Sequence, residues 1–102
     1  MTESAQRILV VDDEPPIRRY LRTALTAQGF SVYEAANGQE ALNAVIANRP
    51  DIIILDLGLP DIDGIEVTRR LREWSQTPII ILSVREAEQD KIAALDAART
   101  IT

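Results

Sequence analysis

Asp51-Ile52-Ile53-Ile54-Leu55-Asp56-Leu57-Gly58-Leu59-Pro60-Asp61-Ile62-Asp63-Gly64 is the stretch that decides the architecture. The continuous apolar run Ile52 to Leu55 reads as a strand buried on both faces. A carboxylate, Asp56, closes it. The Gly/Pro/Asp loop from Leu57 to Gly64 then leads into a helix holding Ile65, Leu71 and Trp74.

The same alternation extends in both directions. Upstream, Ile8-Leu9-Val10-Val11 is another short apolar run, and it ends in Asp12-Asp13-Glu14. Pro15-Pro16 opens a helix whose apolar positions Ile17, Tyr20, Leu21, Ala24 and Leu25 fall on one face, with Gly29 placed to end it. Phe30 and Val32 alternate with polar neighbours in a weaker strand. Asn37, followed three residues later by Glu40, resembles a capping box and starts a helix carrying Ala41, Leu42, Val45 and Ile46. Pro50 lies just beyond that helix. Downstream, Pro78 opens the strand Ile79-Ile80-Ile81-Leu82, and a last helix spans roughly Glu86 to Ala98.

The resulting order, βαβαβαβα, predicts an α/β fold: a doubly wound parallel sheet with helices on both faces and function at the carboxyl ends of its strands. With 102 residues, 46% hydrophobic and 26% charged, the chain suits one domain with a modest core. The net charge of -5 disfavours direct contact with nucleic-acid phosphates. Absence of cysteine and histidine excludes disulfides, zinc-thiolate sites and His- or Cys-based catalysis. The polar start Met1 to Gln6 has no apolar region of a signal peptide, and no apolar run is long enough to span a bilayer. A soluble cytoplasmic protein is the expectation.

Three strand ends carry the candidate chemistry: Asp12-Asp13-Glu14, Asp56 and Ser83. In a parallel sheet these ends lie side by side, and clustered carboxylates call for a hard divalent cation, Mg²⁺ or Mn²⁺ rather than zinc. Asp56 is placed to attack a phosphoryl group and form an acyl phosphate. Ser83 could donate a hydrogen bond to a phosphoryl oxygen, and Gly58 could present its backbone carbonyl to the metal. Taken singly, each has an ordinary structural reading. Asp56 could be a turn residue, the Asp12 to Glu14 group could favour the dipole of the next helix, and Ser83 could start a helix. Asp61 and Asp63 read as loop-shaping and capping residues, Trp74 as packing, and Arg18, Arg19 and Arg22 as a solvated face. Joint placement is what favours function.

These motifs, ILVVDDE at 8 to 14, DIIILDLGLPDIDG at 51 to 64 and PIIILS at 78 to 83, together resemble response-regulator receiver domains from Ile8 to about Ala97. Within that family, Arg18 to Leu25 and Asp90 to Ala97 look most like the regulator of the Kdp potassium-uptake system. The resemblance implies a flavodoxin-like sheet, metal ligands at Asp12, Asp13, Asp56 and the Gly58 backbone, phosphorylation of Asp56 by a sensor histidine kinase, and Ser83 as switch hydroxyl. Receivers continue with Gly-Ala-Asp-Asp-Tyr-Leu and then Lys-Pro, whereas this chain reads Ala98-Arg99-Thr100-Ile101-Thr102. The expectation is a single receiver domain over residues 1 to 102, incomplete at its C-terminus and without a DNA-binding effector domain. Its strand order would be 2-1-3-4, with the fifth strand, the last helix and the site lysine missing. Lys91, the only lysine, lies within the last predicted helix. One deleted base in the family's coding sequence would yield such a tail.

Two consequences are expected: the open edge of the fourth strand invites self-association, and signalling is impaired by the truncation. The leading reading is a phosphorelay module and not an enzyme. The alternative is a phosphorylation-independent binding module, a decoy for the sensor kinase or an intact regulator. A metal-dependent phosphohydrolase is disfavoured, because such enzymes want a second acid two residues after the nucleophile, where Gly58 stands.

Overall fold

The computed structural model describes residues 5–82 and 99–100. In chain order the elements are β1 (Arg7–Val11), α1 (Pro15–Ala27), β2 (Ser31–Ala35), α2 (Gly38–Asn48), β3 (Ile52–Leu55), α3 (Gly64–Arg72), β4 (Ile79–Ile81) and β5 (Arg99–Thr100). The strands form one parallel sheet in the order β2-β1-β3-β4-β5. The last predicted helix, Glu86 to Ala98, lies outside the described residues, as do Ser83 and Lys91.

Alternation within the strands divides the core between the two sheet faces. Leu9, Val11, Ile53, Leu55, Ile79 and Ile81 pack with Val45 of α2 and with Val67 and Leu71 of α3. Ile8, Val10 and Val32 form a smaller cluster with Leu21 and Leu25 of α1 and with Phe30. Helices therefore cover both faces, as the continuous apolar strands require. Burial of the larger cluster removes most of its apolar surface from water, and this is the main driving force for the fold.

Helix starts follow the local chemistry. Pro15 and Pro16 open α1, where their missing N–H groups would have had no intrahelical partner. At α2 the Glu40 N–H donates to the Asn37 side chain at 2.9 Å. Glu40 returns the contact one residue earlier than a standard capping box, accepting from the Ala36 N–H at 2.9 Å. Asp63 caps α3 by accepting from the Glu66 N–H at 2.9 Å.

Several expectations change. The fifth strand is not missing: Arg99 pairs with Ile80 and Thr100 with Ile81, both in parallel. An unpaired parallel edge offers backbone groups to whatever chain can reach it, and backbone pairing does not depend on side-chain identity. The route to self-association through the β4 edge is narrowed accordingly. Trp74 lies beyond the end of α3 and is half exposed. On α1 only part of the apolar face is covered: Leu21 and Leu25 pack on the sheet, whereas Tyr20 is 71% exposed.

Gly64 forms a tight junction near the strand ends. A Cβ there would lie 2.7 Å from the Leu57 Cα and 2.9 Å from the Asp56 carbonyl oxygen, so the start of α3 is pressed against the backbone that follows Asp56. Gly64→Ala should cost about 1–3 kcal/mol, the usual range for overpacking, measured by urea unfolding. A cost near zero would show that this junction yields without strain.

Candidate functional site

Parallel register builds the site. Val11 pairs with Ala35 on one side and with Leu55 on the other. The ladder continues one residue further on both sides. The Asp12 N–H donates to the Ala35 carbonyl at 3.1 Å, and the Asp56 N–H donates to the Val11 carbonyl at 3.0 Å. Asp12 and Asp56 thus leave adjacent strands at the same level. Asp13 follows directly on the chain.

Among the described residues, Asp12, Asp13 and Asp56 form one acidic group, each offering a carboxylate oxygen within 4.8 Å of the others. Asp12 and Asp56 are buried, 5% and 6% exposed, while Asp13 is exposed. Two nearly desolvated carboxylates and a third at the rim make an oxygen-only donor set of the size and hardness that suits a small divalent cation.

Electrostatics agree with that geometry. Burial is the largest influence pushing the Asp12 carboxyl above the ordinary aspartate range, and the charges of Asp56, Asp13 and Glu14 push the same way. The Glu14 N–H, donating to Asp12 Oδ1 at 2.9 Å, opposes them. Asp12 therefore holds a proton more tightly folded than unfolded. Its contribution favours the fold below the unfolded pKa and is lost as pH rises through the raised value.

The loop after Asp56 is held from several directions. Leu57 and Leu59 are buried, and the Gly58 N–H donates to Asp56 Oδ1 at 3.3 Å. Asp61 caps α2 and not the helix that follows it, accepting from the Gly38 and Gln39 N–H groups at 2.7 and 3.0 Å. Sequence proximity pointed to the wrong helix, because only the packing of the loop across α2 brings Asp61 there. Arg18 and Arg22 also depart from expectation. They do not form a merely solvated face: both pair with Glu34 on β2, at 3.1 and 2.6 Å.

Comparison with known proteins decides the family. The response regulator receiver domain family matches residues 8–100. This chain belongs to that family. Among curated relatives, the KDP operon transcriptional regulatory protein KdpE of Escherichia coli is 58% identical over 90 residues, covering 88% of this chain and 40% of the relative. KdpE of Mycobacterium tuberculosis is 51% identical with the same coverage. This receiver domain thus spans about 40% of the length of those relatives. The response regulator TrrA of Thermotoga maritima, solved in complex with Mg²⁺-BeF, is 36% identical with a TM-score of 0.84, over 93% of this chain and 83% of that one. No helix among the described residues of the receiver is long and apolar enough to cross a membrane.

Asp12→Asn keeps an oxygen for the Glu14 N–H but removes one charge from the cluster. In the presence of a chelator at neutral pH it should raise the melting temperature by a few degrees. It should also flatten the fall in stability that accompanies rising pH through the acid range. A lower melting temperature under those conditions would show that the cluster carries no repulsion to relieve.

Proposed function

We propose that this receiver domain is the phosphoacceptor module of a two-component phosphorelay, taking a phosphoryl group on Asp56 from a sensor histidine kinase. The observation that carries the proposal is the convergence of Asp12, Asp13 and Asp56 at adjacent strand ends. In this reading Asp12, Asp13, Asp56 and the Gly58 carbonyl hold Mg²⁺ or Mn²⁺. The cation, when bound, neutralises charge on the transferring oxygens. The site fits it, because Asp12 is raised by burial and by like charge, which a cation would relieve.

The transfer is an in-line displacement. An Asp56 carboxylate oxygen forms a bond to phosphorus as the phosphorus–nitrogen bond of the donor phosphohistidine breaks. The electron pair stays on the donor imidazole, which is left neutral or takes a proton from solvent. Burial of Asp56 leaves little water around its carboxylate. Ser83 would donate a hydrogen bond to one phosphoryl oxygen.

Likeness to the two KdpE proteins supports reading this domain as the receiver of a Kdp-type transcriptional regulator. We place it in the cytoplasm, without direct nucleic-acid contact of its own, in keeping with its net charge of -5. Self-association remains a partner reading only for the part of the β4 edge that β5 leaves uncovered.

Incubation with acetyl phosphate and Mg²⁺, followed by intact mass measurement, tests the proposal. One added PO₃ unit is expected, lost in Asp56→Asn and lost with a chelator. A gain that persists in Asp56→Asn would contradict the assignment of the acceptor. No gain at all would favour the phosphorylation-independent binding module.

A further inference from the structure

The acidic site is also supported from α1. Arg18 of α1 lies with its side chain only 18% exposed and donates in two directions. Its Nη1 reaches the backbone carbonyl of Asp12 at 2.7 Å, and its Nε reaches Glu34 Oε1 at 3.1 Å. The other Glu34 oxygen accepts from Arg22 Nη1 at 2.6 Å. The β2 carboxylate is thus clamped between two arginines of α1. Its pKa is lowered by the Arg22 bond first, then by the Arg18 bond and the two positive charges, against the opposing effect of burial.

The Asp12 carbonyl is where this network meets the site. It belongs to a residue that is 5% exposed, so it needs a donor. The nearby helix bonds do not engage it, because the Ile17 and Arg18 N–H groups both go to the Glu14 carbonyl. Arg18 supplies the donor. Asp12 is then fixed at three atoms: its N–H to Ala35, its carbonyl by Arg18 and its Oδ1 by the Glu14 N–H.

We propose that Arg18, oriented by Glu34, is a positioning residue that holds the Asp12-Asp13 turn in the geometry that binds the divalent cation. The proposal rests on the metal-site reading given above. Two effects compete, and they have opposite signs. As a bare charge beside the carboxylates, Arg18 would repel a cation, so its removal would tighten binding. As a clamp on the turn, its removal would loosen the ligands and weaken binding. Glu34 partly offsets the charge, one of its oxygens accepting from Arg18 and the other from Arg22. Position should therefore outweigh charge.

Mg²⁺ titration by calorimetry, with melting in chelator as the check on folding, decides between them. Arg18→Gln should weaken Mg²⁺ binding about tenfold, the lower end for residues that orient metal ligands, even though it removes a positive charge. Arg18→Lys keeps the charge and loses the planar fork, and it should weaken binding in the same direction. Glu34→Gln should also weaken it, and should add little in the Arg18→Gln background. A purely structural role would lower the melting temperature and leave the Mg²⁺ affinity of the folded protein unchanged, which would overturn the proposal. Tighter Mg²⁺ binding by Arg18→Gln would overturn it as well. Should Arg18→Gln fail to fold, Arg18→Lys decides the question by the same comparison. No Mg²⁺ binding by the unsubstituted chain would overturn the metal-site reading, and this proposal with it.

Discussion

The parallel pairing of β1 with β3 is the constraint on which everything else in this domain depends. Because Val11 stands opposite Leu55, the next residue on each strand must leave the sheet at the same level, and those residues are Asp12 and Asp56. The bond from the Asp56 N–H to the Val11 carbonyl locks the pairing at the point where the chemistry begins. A slip of one residue would move the apolar side chains to the wrong faces and separate the two carboxylates together. The core and the site therefore share one register, and the apolar packing that holds Leu9, Val11, Ile53 and Leu55 also fixes the acids.

That arrangement costs stability. Two carboxylates with little contact with water, and a third beside them, oppose folding in the absence of a counter-charge. Burial, with the charges of Asp56, Asp13 and Glu14, raises the Asp12 carboxyl accordingly. The surrounding contacts offset the cost without neutralising the acids. The Glu14 and Gly58 N–H groups donate to Asp12 and Asp56, and Leu57 and Leu59 anchor the loop from below. Gly64 lets α3 close against the same backbone. A site held this way is pre-formed but under electrostatic tension, which a bound cation would relieve.

Much of this was legible in the amino-acid order, for identifiable reasons. Continuous runs such as Ile52 to Leu55 suit a sheet covered on both faces, as crossover helices cover a parallel one, and a carboxylate directly after such a run lies at its carboxyl edge. Pro15-Pro16, Asn37 and Asp63 act within one helical turn, so their effects are local and readable. What escaped was whatever depends on two distant segments meeting. Arg18 and Arg22 look like a solvated helix face until β2 brings Glu34 beside them. Asp61 precedes α3 in the chain but caps α2, because the loop crosses over that helix. Arg99 and Thr100 carry no strand signature, yet the free edge of β4 pairs with their backbone.

The central claim is that carboxylates from separate strands share one divalent ion. Anomalous scattering from crystals grown or soaked with Mn²⁺ tests it most directly, since manganese can be located without assuming its ligands. The account predicts one strong anomalous peak within coordination distance of carboxylate oxygens from both Asp12 and Asp56, the first from β1 and the second from β3. Manganese bound elsewhere, with those two side chains well ordered and bare, would contradict it.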